Sequence, residues 1–275
     1  MRFEKVIIDK NRKKGIPMKK NLLTTGLGLM FTIAIVIISG CVFNIDRITT
    51  EKSGEILSAG CSAASIDISR YSGNVSINGA SDSIIKATVT VTELATNGSA
   101  GGPAADKLTV SVVNDSGVGT VGFSVAENQD LWELLRLENV AVACYNMLDL
   151  SAKTSSGNIT LDGIYGFITL ETTSGNVTAN VVSGCKITVE SGNIEVTLNP
   201  DADFAQATLK ATSGNIKVRV PSAFKANLEL SAKSGNVDCP DNDKTHLNGG
   251  NAAVVIKCTT TSGNIKIVEY PVLQL

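Results

Sequence analysis

The chain has 275 residues, with 24 Lys and Arg against 26 Asp and Glu, 25 glycines, one histidine and one tryptophan. Aromatic residues make up 4% of it, which excludes a core built on large rings and leaves a thin aliphatic one. Charge is divided unevenly: residues 1–20 carry eight Lys or Arg and two acids, whereas residues 42–275 carry 16 basic and 24 acidic residues. An acidic body with no basic patch excludes nucleic acid as a partner.

Lys19 and Lys20 precede an apolar run from Leu22 to Ile38, and Ser39-Gly40 forms a small-residue boundary before Cys41. This is the layout of an export signal. Ile38-Ser39-Gly40-Cys41 resembles a lipoprotein signal, whose cleavage would leave Cys41 as a lipidated N-terminus. An uncleaved transmembrane anchor is the alternative, since a run of about 17 apolar residues is at the short limit for spanning. Both readings put residues 42–275 outside the cytoplasm, because a Lys/Arg-rich flank stays inside. Two or more acyl chains hold firmly at about 0.8 kcal/mol per buried CH₂. Met18-Lys19-Lys20-Asn21 already has the form of a signal start, so Met18 is the expected initiator. Residues 1–40 are thus expected as the export segment and 41–57 as a lipid-anchored tether.

Residues 58–144 are expected as an N-terminal β region and cap. Ile84 to Leu94, Leu108 to Val113 and Val121 to Val125 alternate as strands do, and residues 97–103 form a Gly-rich loop. Asp130 to Arg136 has the pattern of a short helix holding Trp132, the bland role being a lid and the sharper one a binding platform. A stack of strands needs such a cover, because an open end exposes unpaired edges.

From residue 145 to 275 one tripeptide recurs. Ser-Gly-Asn is centred on Gly157, Gly175, Gly192, Gly214, Gly235 and Gly263, with an outlier at Gly73. Counting from each glycine, position +2 is always Val or Ile. Positions −7, −5 and +4 are aliphatic, Ala or Cys, and the residues between are mostly Thr, Lys, Glu, Asp or Ser. Period-two alternation on both arms marks two strands with one buried face each. Gly-Asn supplies residues that tolerate positive φ at the corner. A spacing near twenty residues marks stacked repeats, because one such unit cannot bury enough surface alone. The expected fold is all-β: a single-stranded β-solenoid, with the Asn amides in a ladder, behind an irregular N-terminal β cap. An antiparallel β-meander, each Ser-Gly-Asn being a hairpin turn, is the alternative.

The T-T-S-G-N-[IV]-x-[VL] pattern behind a lipoprotein-like signal, with Val218-Arg219-Val220-Pro221 and Phe224 to Leu228, resembles a family of candidate adhesins. These are bacterial and archaeal β-strand-repeat domains of unknown function. The resemblance covers about 145–270 well and 60–80 in outline. It implies a β-helix-like extracytoplasmic domain and brings no catalytic residues to place on this chain.

Five cysteines remain beyond Cys41. Cys239 and Cys258 occupy inward columns of successive repeats and bracket the polar insert Pro240 to Asn251, expected to bulge from the stack, so they are the first candidates for a disulfide. No CxxC spacing points to zinc. His246 sits among polar residues, and the Asp201/Asp203 and Asp238/Asp241/Asp243 groups lack calcium-loop spacing. No catalytic, metal or cofactor site is expected. The chain is expected to be a surface-anchored, non-enzymatic adhesin-like or envelope-scaffold module meeting envelope polymers, surface carbohydrate or proteins. A carbohydrate-active β-helix enzyme and a sensory or partner-binding ectodomain are the alternatives.

Overall fold

The computed structural model describes residues 5–7, 46–95, 107–125, 135–201, 203–249 and 253–271. Cys41 and the apolar run before it lie outside the described residues, as do Trp132 and most of the helix expected around it; Leu135 and Arg136 open a strand instead. Among the described residues no helix is long and apolar enough to cross a membrane.

Strands dominate. In chain order they are β1 (Lys5–Ile7), β2 (Asp46–Leu57), β3 (Ala63–Ser72), β4 (Asn74–Ala80), β5 (Ile84–Ala95), β6 (Leu108–Asp115), β7 (Val118–Val125), β8 (Leu135–Tyr145), β9 (Asp149–Ser156) and β10 (Ile159–Asp162). There follow β11 (Ile168–Ser174), β12 (Val177–Val181), β13 (Cys185–Ser191), β14 (Ile194–Leu198), β15 (Gln206–Ser213), β16 (Ile216–Pro221), β17 (Ala226–Ser234) and β18 (Val237–Asp238). A 3₁₀ turn at Pro240–Asn242, then β19 (His246–Leu247), β20 (Val255–Ser262) and β21 (Ile265–Tyr270) follow.

Two sheets face each other across one core. The front sheet has 11 strands in the order β1-β2-β5-β8-β4-β10-β12-β14-β16-β21-β18, and the back sheet 10 in the order β19-β17-β20-β15-β13-β11-β9-β3-β7-β6. Each Ser-Gly-Asn carries the chain from a back strand to a front strand, so a repeat is one rung. Rungs stack in parallel and in register: Ile168 pairs with Leu150 on one side and Cys185 on the other, and Val177 with Ile159 and Ile194. Parallel pairing between successive repeats is solenoid geometry and excludes the meander, in which pairs would be antiparallel about each glycine.

The inward columns are those the alternation predicts. Val75, Ile159, Val177, Ile194, Ile216 and Ile265 at +2 are all at most 1% exposed, and so are Ile68, Ala152, Leu170, Ile187, Leu209 and Cys258 at −5. The same column positions in the last rung, Val237 and Leu230, are only partly buried.

Rung order departs from chain order at the C-terminal end. β15 and β16 pair with β20 and β21, and β17 and β18 lie beyond these, so the later rung is inserted between the two earlier ones. The polar insert does not bulge freely. It folds back, placing β19 antiparallel on β17 and burying Leu247.

At the N-terminal end the expected strands form as β5, β6 and β7, and both sheets are continued by antiparallel pairs. The stretch read as a tether is a strand from Asp46 onward: β2 pairs with β5 along all 12 residues. Lys52 and Gly54 break its inward alternation, which hid it. Gly54 is there for contact, since a Cβ would strike the Val110 carbonyl oxygen of β6, so β2 closes this end against the back sheet. β1, which precedes the expected initiator, adds three antiparallel pairs to β2.

Candidate functional site

The corner column is built from three side-chain types. Gly157, Gly175, Gly192, Gly214, Gly235 and Gly263 have φ between +138° and +149°. A Cβ on any of them would stand inside 3.0 Å of the carbonyl oxygen of the neighbouring rung's glycine. Glycine is therefore required twice, by backbone conformation and by close approach. Gly73 instead lies against Leu137 of β8.

The asparagines of the Ser-Gly-Asn corners do not adopt positive φ. Each turns its side chain along the column. The N–H of Asn158 donates to Asn74 Oδ1, Asn176 to Asn158, Asn193 to Asn176, Asn215 to Asn193, Asn264 to Asn215 and Asn236 to Asn264, at 2.8–3.0 Å. The Nδ2 groups of Asn176, Asn193, Asn215 and Asn264 repeat the link at 3.2–3.3 Å. This is the expected amide ladder.

Position −3 escaped the alternation because it is often threonine. Thr154, Thr172 and Thr260 are 1% exposed. Their hydroxyls donate to the carbonyls of Gly73, Gly157 and Gly214 in the neighbouring rung. A buried hydroxyl needs such a partner.

Outside the corners lie two walls whose charges pair across rungs: Lys153–Glu171 at 3.3 Å and Lys257–Glu229 at 2.6 Å on the back, Lys217–Glu195 at 2.9 Å, Arg219–Glu195 at 3.0 Å and Lys266–Asp238 at 2.8 Å on the front. The Lys217 and Arg219 hydrogen bonds hold the Glu195 carboxyl below the usual glutamate range. On the back wall Lys186 faces Thr208 and Lys210 faces Thr188 on the adjacent strand. Among the described residues neither lysine has an ion-pair partner, and Thr169 and Thr259 flank them.

The opposite corner column is irregular. Asn180 Nδ2 donates to Asp162, and the Ser183 hydroxyl contacts the Tyr165 carbonyl and Asp201. Phe204 and Phe224 meet edge to face with ring centres 5.6 Å apart.

The insert encloses a shallow cavity of about 110 Å³ lined by Asp243, His246, Asn248 and Glu269. Asn248 Nδ2 bridges the Phe224 carbonyl and Glu269 at 3.0 and 2.9 Å. The Asp243 carboxyl, lowered by hydrogen bonds from Thr245 and His246, closes a local turn. Asp201 does the same for the N–H of Asp203. Among the described residues no three His, Cys, Asp or Glu side chains are placed to hold a metal.

Cys239 and Cys258, the expected bridge, are both free thiols in this structure, as are Cys61, Cys144 and Cys185. Cys258 lies within electrostatic reach of Cys185 and Cys239 and is raised chiefly by burial. Burial pushes Cys185 up to about 12 and Cys144 to about 11.

The parallel rungs with glycine corners lie in residues 63–80 and 149–270, antiparallel strands continue both sheets back to Asp46, and the Toastrack DUF4097 family matches residues 42–268, which takes in both parts. The chain belongs to that family. No curated protein matches this Toastrack chain. Solved structures similar to it include a candidate cell adhesion protein from Clostridium sporogenes, at 11% identity and TM-score 0.41, covering 81% of this chain and 100% of that one. A candidate adhesin from Bacteroides fragilis has 13% identity and TM-score 0.28, covering 79% and 97%. A candidate lipid-binding protein from Parabacteroides distasonis has 14% identity and TM-score 0.26, covering 78% and 96%.

Proposed function

We propose that this Toastrack protein is a membrane-anchored, extracytoplasmic binding scaffold that carries out no catalytic step. It presents its back wall to an envelope polymer or surface carbohydrate. One observation carries this reading: the walls are largely self-neutralised, with Glu171, Glu195, Glu229 and Asp238 each held in a cross-rung ion pair. The exception is the back-wall patch in which Thr169, Thr188, Thr208 and Thr259 surround Lys186 and Lys210. Threonine and lysine alternate along the stack, with hydroxyls two rungs or about 9.6 Å apart on either side of each ammonium group, which suits a repeating anionic or polyhydroxy polymer. Attachment through Cys41 completes the proposal, because a scaffold at the membrane surface meets such polymers directly.

The test is a binding screen of the full chain in membrane vesicles against purified envelope fractions and glycans. Retention on an anionic fraction, reduced in K186E/K210E with the thermal midpoint unchanged, supports the reading. Equal retention of native and variant chains would remove the back wall from the proposal. For the anchor, incorporation of labelled fatty acid should disappear in Cys41→Ser.

A further inference from the structure

Asn-x-Ser/Thr, the acceptor sequence for an N-linked glycan, occurs at Asn74, Asn97, Asn114, Asn158 and Asn176. Asn97 lies outside the described residues. Asn74, Asn158 and Asn176 stand at the heads of front strands, and the residues after them, Val75, Ile159 and Val177, are at most 1% exposed. Each of these strands is paired on both sides, β4 with β8 and β10, β10 with β4 and β12, and β12 with β10 and β14. Their asparagines are joined in the corner ladder as well. A modifying enzyme would have to unzip a rung to draw any of the three into its site.

Asn114 is placed differently. It lies near the end of β6, the outermost back strand, which among the described residues pairs only with β7. The two strands are joined by Ser116 and Gly117, both at positive φ, +53° and +88°, the geometry of a tight hairpin. Asn114, Asp115 and Ser116 are all exposed. The tip is pinned: the Gly117 carbonyl accepts the Ser62 N–H at 2.8 Å, and Asn114 Oδ1 accepts the Gly117 N–H at 3.0 Å. That bond engages the oxygen of the Asn114 carboxamide and leaves the nitrogen available. The neighbouring turn presents Gly60, whose would-be Cβ is 3.7 Å from Asn114 Nδ2, so no side chain there covers the amide. One residue earlier, Val113 is 52% exposed on the same edge strand, apolar surface of the kind that invites another chain.

We propose that Asn114 is an N-glycosylation site, and that its glycan shields Val113 and the outer edge of β6. The inference rests on the extracytoplasmic placement proposed above. The donor is an oligosaccharide linked through C1 to a membrane lipid phosphate, delivered by a separate transferase. Asn114 Nδ2 bonds to C1 as the C1–O bond to the phosphate breaks. The lipid phosphate leaves with the electron pair, and Nδ2 gives up one proton to solvent. A hydrated glycan beside an edge strand blocks strand addition by bulk, the end that lysine and proline serve on other edges.

The experiment is mass mapping of the full chain isolated from membranes of the organism that encodes it. The tryptic peptide 108–136, which holds Asn114, should be heavier than its sequence by the mass of a glycan. Peptides 71–86 and 154–186, which hold Asn74 and the Asn158/Asn176 pair, should have their sequence masses. Ser116→Ala removes the acceptor hydroxyl, leaves Asn114 in place and should return 108–136 wholly to its sequence mass. Protease added to cells freed of their wall reports the placement separately. A chain that the protease digests, but whose 108–136 peptide is unmodified, overturns this inference and leaves the extracytoplasmic reading standing; a chain that it spares overturns both. A glycan on 71–86 or 154–186, or one on 108–136 that survives in Ser116→Ala, would also overturn the inference.

Discussion

Gly214 sits against Gly192 so closely that a methyl group on its α-carbon would collide with the Gly192 carbonyl oxygen, and its φ is +149°. Gly214→Ala must therefore pay for a disfavoured backbone and push two rungs apart, a loss of about 3 kcal/mol or more. Gly249 also has positive φ, at +85°, but nothing lies within 4 Å of its would-be Cβ. Gly249→Ala should cost only about 1 kcal/mol. Urea midpoints of the two variants separate close approach from conformation.

Asn193 accepts from the N–H and Nδ2 of Asn215 and donates its own Nδ2 to Asn176. Asn193→Ala should lose about 1–2 kcal/mol, because the N–H of Asn215 is left without its acceptor in a tight corner. Asn236 ends the column, and among the described residues nothing donates to its Oδ1. Asn236→Ala should be nearly silent, and the contrast in thermal midpoint is the measurement.

The Glu195 carboxyl binds a proton less readily in the folded chain than in the unfolded one, through Lys217 first and Arg219 second. Its contribution to stability is full above the ordinary glutamate value of about 4.3 and is lost as pH falls through the lowered folded value. With the side chain 42% exposed, solvent screens much of the gain, so the effect is small. Native protein should be slightly more stable than Glu195→Gln near neutrality, and the two urea curves should converge in acid.

Cys144, Cys185 and Cys258 are buried thiols held far from ionisation, while Cys61 is partly exposed. Thiolates are the reacting form. Among these four, Cys61 should react first with a disulfide reagent at pH 8, and the buried three only as fast as the chain opens. Mass mapping of the labelled peptides checks the order.

Much of this was legible in the sequence, for reasons specific to the fold. The columns at −7, −5, +2 and +4 stand out because inward aliphatics alternate with Thr, Lys and Glu along every rung. Position −3 was missed because a buried threonine looks like a surface one until its hydroxyl is seen bonded to a glycine carbonyl. The corner asparagines form the ladder the repeats suggest, but their backbones do not take the positive φ that Gly-Asn tolerates; that conformation is left to the glycines alone. Rung order was illegible for a deeper reason: near-identical corners fit any neighbour equally well, so nothing in Ser234-Gly235-Asn236 says that Ser262-Gly263-Asn264 will lie between it and Ser213-Gly214-Asn215. β2 was hidden by Lys52 and Gly54, whose place is explained only by the strand packed against them.

The displaced rung has a bearing on how the chain is built. Emerging from its N-terminus, the polypeptide can add each repeat onto a finished one as far as β16. The segment holding β17 and β18 then has no rung to stack on, because β20 with β21, on which it lies, has not yet been delivered. The last fifty or so residues must consequently settle together, and a protein cut short after Asp238 would leave its final repeat either adrift or docked in a stranger's place.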